Sequence, residues 1–148
     1  MLLHASSVAR DGDAVLLLGP PGSGKSDLVL RLLQSGWCLV ADDQVALRAD
    51  RGELRPEAPE ALRGLLEVRG LGIIGPFPLA VAPVLRLVAR LLPRAEIPRL
   101  PVPERWSAEG IVLPAIRLHG LDASAPAKLA LALDLVLGRR AQHVGAFP

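Results

Sequence analysis

Gly19-Pro20-Pro21-Gly22-Ser23-Gly24-Lys25-Ser26 is the stretch on which the reading of this chain turns. A glycine, four free positions and then Gly-Lys-Ser make the pattern of a phosphate-binding loop. Glycines let the backbone wrap tightly, so that successive N–H groups point at phosphate oxygens. A following helix adds the positive end of its dipole. Lys25 is placed to bridge the β- and γ-phosphates, and the Ser26 hydroxyl to hold Mg²⁺. Pro20 and Pro21 have no N–H to give, so the donors are expected from Gly22 to Ser26. The plainer alternative is a glycine-rich turn that matches by accident. With 14 Gly, 2 Lys and 7 Ser or Thr in 148 residues, that accident should occur in about one such chain in a thousand. The loop is therefore read as a nucleoside triphosphate site, with ATP and Mg²⁺ as the expected ligands.

Working outward, residues 2–8 and 14–18 are apolar runs separated by Arg10-Asp11-Gly12-Asp13, the signature of a hairpin. Residues Lys25–Gln34 place Leu28, Leu32 and Leu33 at helical spacing and stop at Gly36. Residues 37–41 read as a buried strand ending at Asp42-Asp43. Strand, glycine loop, helix and strand in that order form the α/β crossover that puts a ligand at strand ends. Beyond it, residues 45–48 and 53–55 suggest a second hairpin, and residues 59–66 a short helix before a strand at Leu66–Val68. Residues 84–92 fit strand or helix, with strand preferred. The three prolines in residues 94–105 argue for an irregular segment. Ile111–Leu118 reads as a strand. Residues 124–140 read as a helix capped by Ser124, with Pro126 in its first turn and Gly138 at its end. The expected fold is α/β, a single domain over residues 1–148 with a mixed central sheet.

Composition narrows the function classes. Hydrophobic residues make up 51% of the chain, yet it has only two Trp, two Phe and no Tyr, so the core must be aliphatic. No apolar run reaches the roughly 18 residues of a membrane span, and the N-terminus lacks a signal-peptide pattern. A cytoplasmic protein is expected, with no membrane partner. The net charge of +2 is small and no basic block appears, so no nucleic-acid surface is expected. The lone Cys38 excludes an internal disulfide, and His4, His119 and His143 are too dispersed for a local metal motif.

Asp42-Asp43 closes the strand after the loop's helix, where a carboxylate can hold magnesium or accept a proton from an incoming hydroxyl. An Asp-rich turn is the plainer alternative. Glu67 lies in Glu67-Val68-Arg69-Gly70-Leu71-Gly72-Ile73-Ile74, charges set in an apolar strand with glycines that permit close approach. It reads equally as a metal ligand or as the partner of Arg69.

Together these segments resemble the catalytic domain of bacterial HPr kinase/phosphorylase. The resemblance rests on His4 ahead of the loop, on the loop with Ser26-Asp27, and on Leu39-Val40-Ala41-Asp42-Asp43. It rests above all on Leu66-Glu67-Val68-Arg69-Gly70-Leu71-Gly72-Ile73-Ile74. It covers residues 4–75 well and the remainder weakly. It implies an ATP-dependent kinase acting on a serine of the phosphocarrier HPr or a related carrier, with a reverse phosphorylase reaction and a homo-hexameric assembly. Asp43 is then the base for the acceptor serine, Lys25 stabilises the transferred group, and Ser26, Glu67 and Asp42 bind Mg²⁺. His4 matches the family's active-site histidine, and Arg99 in Pro98-Arg99-Leu100 its later catalytic arginine. The family's extra N-terminal domain is not expected here, Gly75-Pro76-Phe77-Pro78 replaces a longer HPr-engaging loop, and Ala115-Ile116-Arg117-Leu118-His119-Gly120 replaces a loop linked to dephosphorylation. Kinase chemistry is thus better supported than phosphorylase chemistry. The alternatives are a P-loop kinase for a small molecule and a non-catalytic nucleotide-sensing module.

Overall fold

The hairpin turn at Asp11-Gly12 puts both residues at positive φ, 52° and 82°, as a two-residue hairpin loop requires. It joins β2 (Ser6–Arg10) to β3 (Asp13–Leu18), which pair antiparallel. The apolar run ahead of it is broken at His4-Ala5, so Leu2–Leu3 is a separate strand, β1. The computed structural model describes residues 1–148. After β3 come the loop and α1 (Lys25–Gln34), then β4 (Cys38–Ala41), β5 (Val45–Asp50), β6 (Glu53–Glu57), β7 (Leu66–Val68), β8 (Gly72–Ile74) and β9 (Val84–Leu91). The chain continues through β10 (Glu104–Ala108) and β11 (Ile111–Leu118) to α2 (Ala125–Val136).

Six strands form the central mixed sheet in the order β10-β11-β9-β3-β2-β4. β3 runs parallel to β9, and β9 parallel to β11. β2 is antiparallel to both β3 and β4, so β3 and β4 run the same way with β2 between them. The βαβ crossover is present, with a strand inserted into it. Its consequence is positional: β3, β4, β9 and β11 all end at one edge of the sheet.

Each face of that sheet has its own core. Val15 and Leu17 of β3 point to the face covered by α1 and α2, packing with Leu28, Leu32, Leu129 and Leu133. Ala14 and Leu16 point to the other face, where the β5–β6 hairpin brings Leu47 and Leu54. This is the period-2 alternation of a strand covered on both sides. In β9 the alternation slips, because the register shifts between Ala14 and Val15. Leu85 and Val88 therefore share one core while Leu87, Ala89 and Leu91 share the other, the parity change that one extra residue imposes.

Two expectations are corrected. The irregular segment ends at Pro103, and Glu104–Ala108 is a strand paired with β11. Its prolines hid it, but they lie before the strand rather than inside it. The last helix ends at Val136, and Gly138, at φ 75°, turns the chain away. Ser124 gives it no side-chain cap. No helix is long and apolar enough to cross a membrane.

Candidate active site

The loop at residues 19–24 leaves the end of β3 and enters α1 at Lys25. Gly22 and Gly24 sit at φ 83° and 92°, where a side chain would strain the backbone. Gly19 is needed for a different reason. A Cβ there would fall 2.5 Å from Ser23 Oγ and 3.1 Å from the Leu91 carbonyl oxygen. Ser23 Oγ is itself buried without a hydrogen-bond partner. A turn bond from Ser23 N–H to the Pro20 carbonyl, 3.1 Å, closes the loop's first half.

Lys25 is 8% exposed, and its Nζ donates to the Gly19 carbonyl at 2.5 Å and the Pro20 carbonyl at 3.1 Å. Burial lowers its pKa, and the charges of Asp42 and Asp43 oppose that shift. The lysine is therefore folded onto its own loop, beside two carboxylates on the neighbouring turn.

That turn follows β4. Asp42 is 5% exposed and accepts hydrogen bonds from Ser6 Oγ at 2.8 Å and from Ser26 Oγ at 2.9 and 3.1 Å. Ser6 comes from β2, Ser26 from α1 and Asp42 from the end of β4, so three elements meet at one carboxylate. Asp43 has φ 69° and points outward. Its backbone carbonyl accepts from Ala5 N–H at 3.2 Å, which ties the β1–β2 junction to the turn. The same tie brings His4 Nδ1 to 3.4 Å from Asp43 Oδ1, both side chains more than half exposed.

Glu67 and Arg99 are not drawn into this group. Glu67 projects from β7 into solvent with no polar partner, and no three His, Cys, Asp or Glu side chains are placed to hold a metal ion among themselves. The ion pair with Arg69 does not form either. The reason is that residues 66–74 are a two-stranded hairpin of their own, outside the central sheet. Arg99 is exposed in the segment after β9, whose Pro98 and Pro101 border a cavity against α2 and β11. That cavity borders β11, which lies toward the other end of the strand order from β4, the strand that Asp43 follows.

The other flank of the loop is built by residues that the sequence did not place at the site. Gly120 and Leu121, just after β11, lie against Ser23 and Gly24. Arg31 of α1 donates to the backbone carbonyls of Gly120 and Asp122, and Arg94 pairs with the Asp122 carboxylate, holding it below the usual carboxylate range. The available signal was His119-Gly120 directly after a strand, which its topology sends to the same sheet edge. Ser6 carried no signal beyond being a hydroxyl in an apolar run.

The HPr Serine kinase C-terminal domain family model matches residues 1–76. A HPr kinase/phosphorylase of Caldicellulosiruptor bescii is 46% identical over 72 residues, 48% of this chain and 23% of that protein. One of Bacillus pumilus is 43% identical over 90 residues, 60% of this chain and 29% of that protein. The aligned region thus spans less than a third of these curated relatives. Among solved structures, the Hpr(Ser) kinase/phosphatase from Coxiella burnetii superposes with a TM-score of 0.81 at 26% identity, covering 95% of this chain and 99% of that one.

Proposed function

The chain belongs to the HPr serine kinase C-terminal domain family, and from that premise we propose that it transfers the γ-phosphoryl group of ATP to a serine of HPr or a related small phosphocarrier. One observation carries the reading. A phosphate loop, a buried carboxylate bonded to the loop's Ser26, and an accessible carboxylate beside a histidine converge at a single sheet edge.

The residues fit a magnesium ion. The donors at the edge are hydroxyl and carboxylate oxygens, the hard ligands Mg²⁺ takes. Asp42 is nearly out of water and its hydrogen bonds come only from hydroxyls, while Lys25, the cation near it, spends its own hydrogen bonds on the loop carbonyls. Ser26 and Asp42 would hold the ion, and Glu67 is the further carboxylate free to approach it by movement of the β7–β8 hairpin. When bound, Mg²⁺ supplies charge neutralisation on the β- and γ-phosphate oxygens. Lys25 exchanges the Gly19 and Pro20 carbonyls for phosphate oxygens and follows the charge of the transferred group. Asp43 stands where an acceptor can reach it and takes the seryl proton as the oxygen attacks phosphorus and the bond to ADP breaks. His4 keeps Asp43 oriented toward the acceptor. The reverse transfer uses the same groups, with Asp43 returning the proton. Arg99 enters this scheme only if the segment carrying it moves toward the site. A cytoplasmic location and a homo-oligomer complete the proposal.

The test is label transfer from γ-labelled ATP with Mg²⁺ and purified HPr. Phosphoserine on HPr is the expected product. Label found only on a metabolite, or nowhere while ATP still binds, would replace this reading by a small-molecule kinase or a nucleotide-sensing module.

A further inference from the structure

The ends of β9 and β11 form the half of the sheet edge that phosphoryl transfer leaves unused. There the turn at residues 119–122 presses on the phosphate loop. A Cβ on Gly120 would meet the Ser23 carbonyl oxygen at 2.8 Å and Leu91 Cδ1 at 3.0 Å. Leu121 rests on the loop's last glycine, since a Cβ on Gly24 would fall 2.8 Å from Leu121 Cδ2. Yet the Leu121 side chain is 55% exposed.

A single exposed leucine is ordinary on a protein surface. This one is fixed from two directions. The Arg31 guanidinium, reaching from α1, holds the carbonyls on both sides of Leu121, those of Gly120 and Asp122. Arg94, beyond the end of β9, holds the Asp122 side chain. Charge-assisted bonds of this kind restrict a turn more than neutral ones do, so the apolar side chain has a defined place at the lip of the loop.

A nucleotide whose triphosphate fills the loop must carry its nucleoside off to one flank. On the β4 flank stand Asp42, Asp43 and His4, where metal and acceptor hydroxyl arrive. That flank is acidic and must stay open. The β11 flank offers Leu121 with the glycine backbone beside it, and Arg31 and Arg94 are already engaged with the turn. The geometry points to Leu121 as the apolar platform on which the ribose–base half of ATP packs, an inference that rests on the loop being an ATP site. Packing of a flat ring system on an aliphatic side chain is stabilised by the area both remove from water.

The experiment is calorimetric titration of the wild-type and Leu121→Ala proteins with ATP and with inorganic tripolyphosphate, each with Mg²⁺. Tripolyphosphate can fill the loop but has no nucleoside to pack. Leu121→Ala is expected to weaken ATP about tenfold while leaving tripolyphosphate affinity unchanged, and Leu121→Met should restore ATP binding. Equal losses for both ligands would mean that the leucine merely shapes the loop, and no loss for either would remove it from the site; each result overturns the platform. A wild-type protein that binds neither ligand would instead overturn the ATP-site reading, and the platform with it.

Discussion

Ser26 Oγ lies 2.9 Å from Asp42 Oδ1, a contact between the first turn of α1 and the end of β4. It joins the phosphate loop to the acidic turn before any ligand arrives. Replacing Asp42 by Ala would leave the fully buried Ser6 hydroxyl without its acceptor. A loss of about 1–3 kcal/mol in urea-unfolding stability is expected, together with a raised Mg²⁺ requirement. Unchanged stability would mean that water fills the gap and that the contact does not pre-form the site.

Lys25 should behave in the opposite sense, because burial holds its pKa below the ordinary 10.5. Below the lowered value both folded and unfolded chains carry the proton, and the burial cost is fully present. Between that value and 10.5 the unfolded chain binds more proton, so this group's cost fades as pH rises. Lys25→Met should therefore leave the ligand-free protein at least as stable as wild type at neutral pH, with the difference shrinking toward pH 10.5, while ATP affinity falls sharply. Thermal melts across pH, paired with titration calorimetry, check both halves. A destabilised variant at neutral pH would contradict the account.

Much of this site could be read before the fold was known, and the reason is locality. The loop, α1 with bounds Lys25–Gln34 and the strand Ile111–Leu118 follow from short-range pattern: glycine punctuation, 3.6-residue spacing and alternation. What escaped depends on distant partners. Ser6 matters only because β2 lies between β3 and β4, and Leu121 only because β11 ends beside the loop. Glu67 shows the converse. Its local sequence suggested equally a metal ligand or the partner of Arg69, but in β7 Leu66 and Val68 take the core side and strand alternation leaves Glu67 facing solvent.

Glu67 supplies a clean separation of structure from function. It is exposed and unpartnered, so Glu67→Gln should change stability by less than about 0.5 kcal/mol. If the β7–β8 hairpin brings it to the metal, the Mg²⁺ concentration for half-maximal transfer should rise severalfold at unchanged stability. An unaltered Mg²⁺ dependence would leave Ser26 and Asp42 as the protein's only metal ligands.

Arg31 ties α1 to the turn after β11 through the carbonyls of Gly120 and Asp122. Arg31→Met keeps most of the aliphatic packing and removes the donors. A loss of about 1.5–3 kcal/mol is expected from chemical denaturation, with faster hydrogen exchange confined to residues 119–124. Exchange that rises evenly over the chain would show a general loss of stability rather than a local clamp.

The most direct test of the central claim is the initial rate of phosphoserine formation on HPr by wild-type protein and by Asp43→Asn, with ATP affinity measured on both. The asparagine keeps the size and most of the hydrogen bonding of Asp43 but cannot take the seryl proton. Transfer should slow by roughly a hundredfold to ten-thousandfold, while ATP binding, carried by the loop backbone and Lys25, stays close to wild type. Near-normal phosphorylation of HPr by Asp43→Asn, or no phosphorylation of HPr by the wild-type protein, would contradict the account.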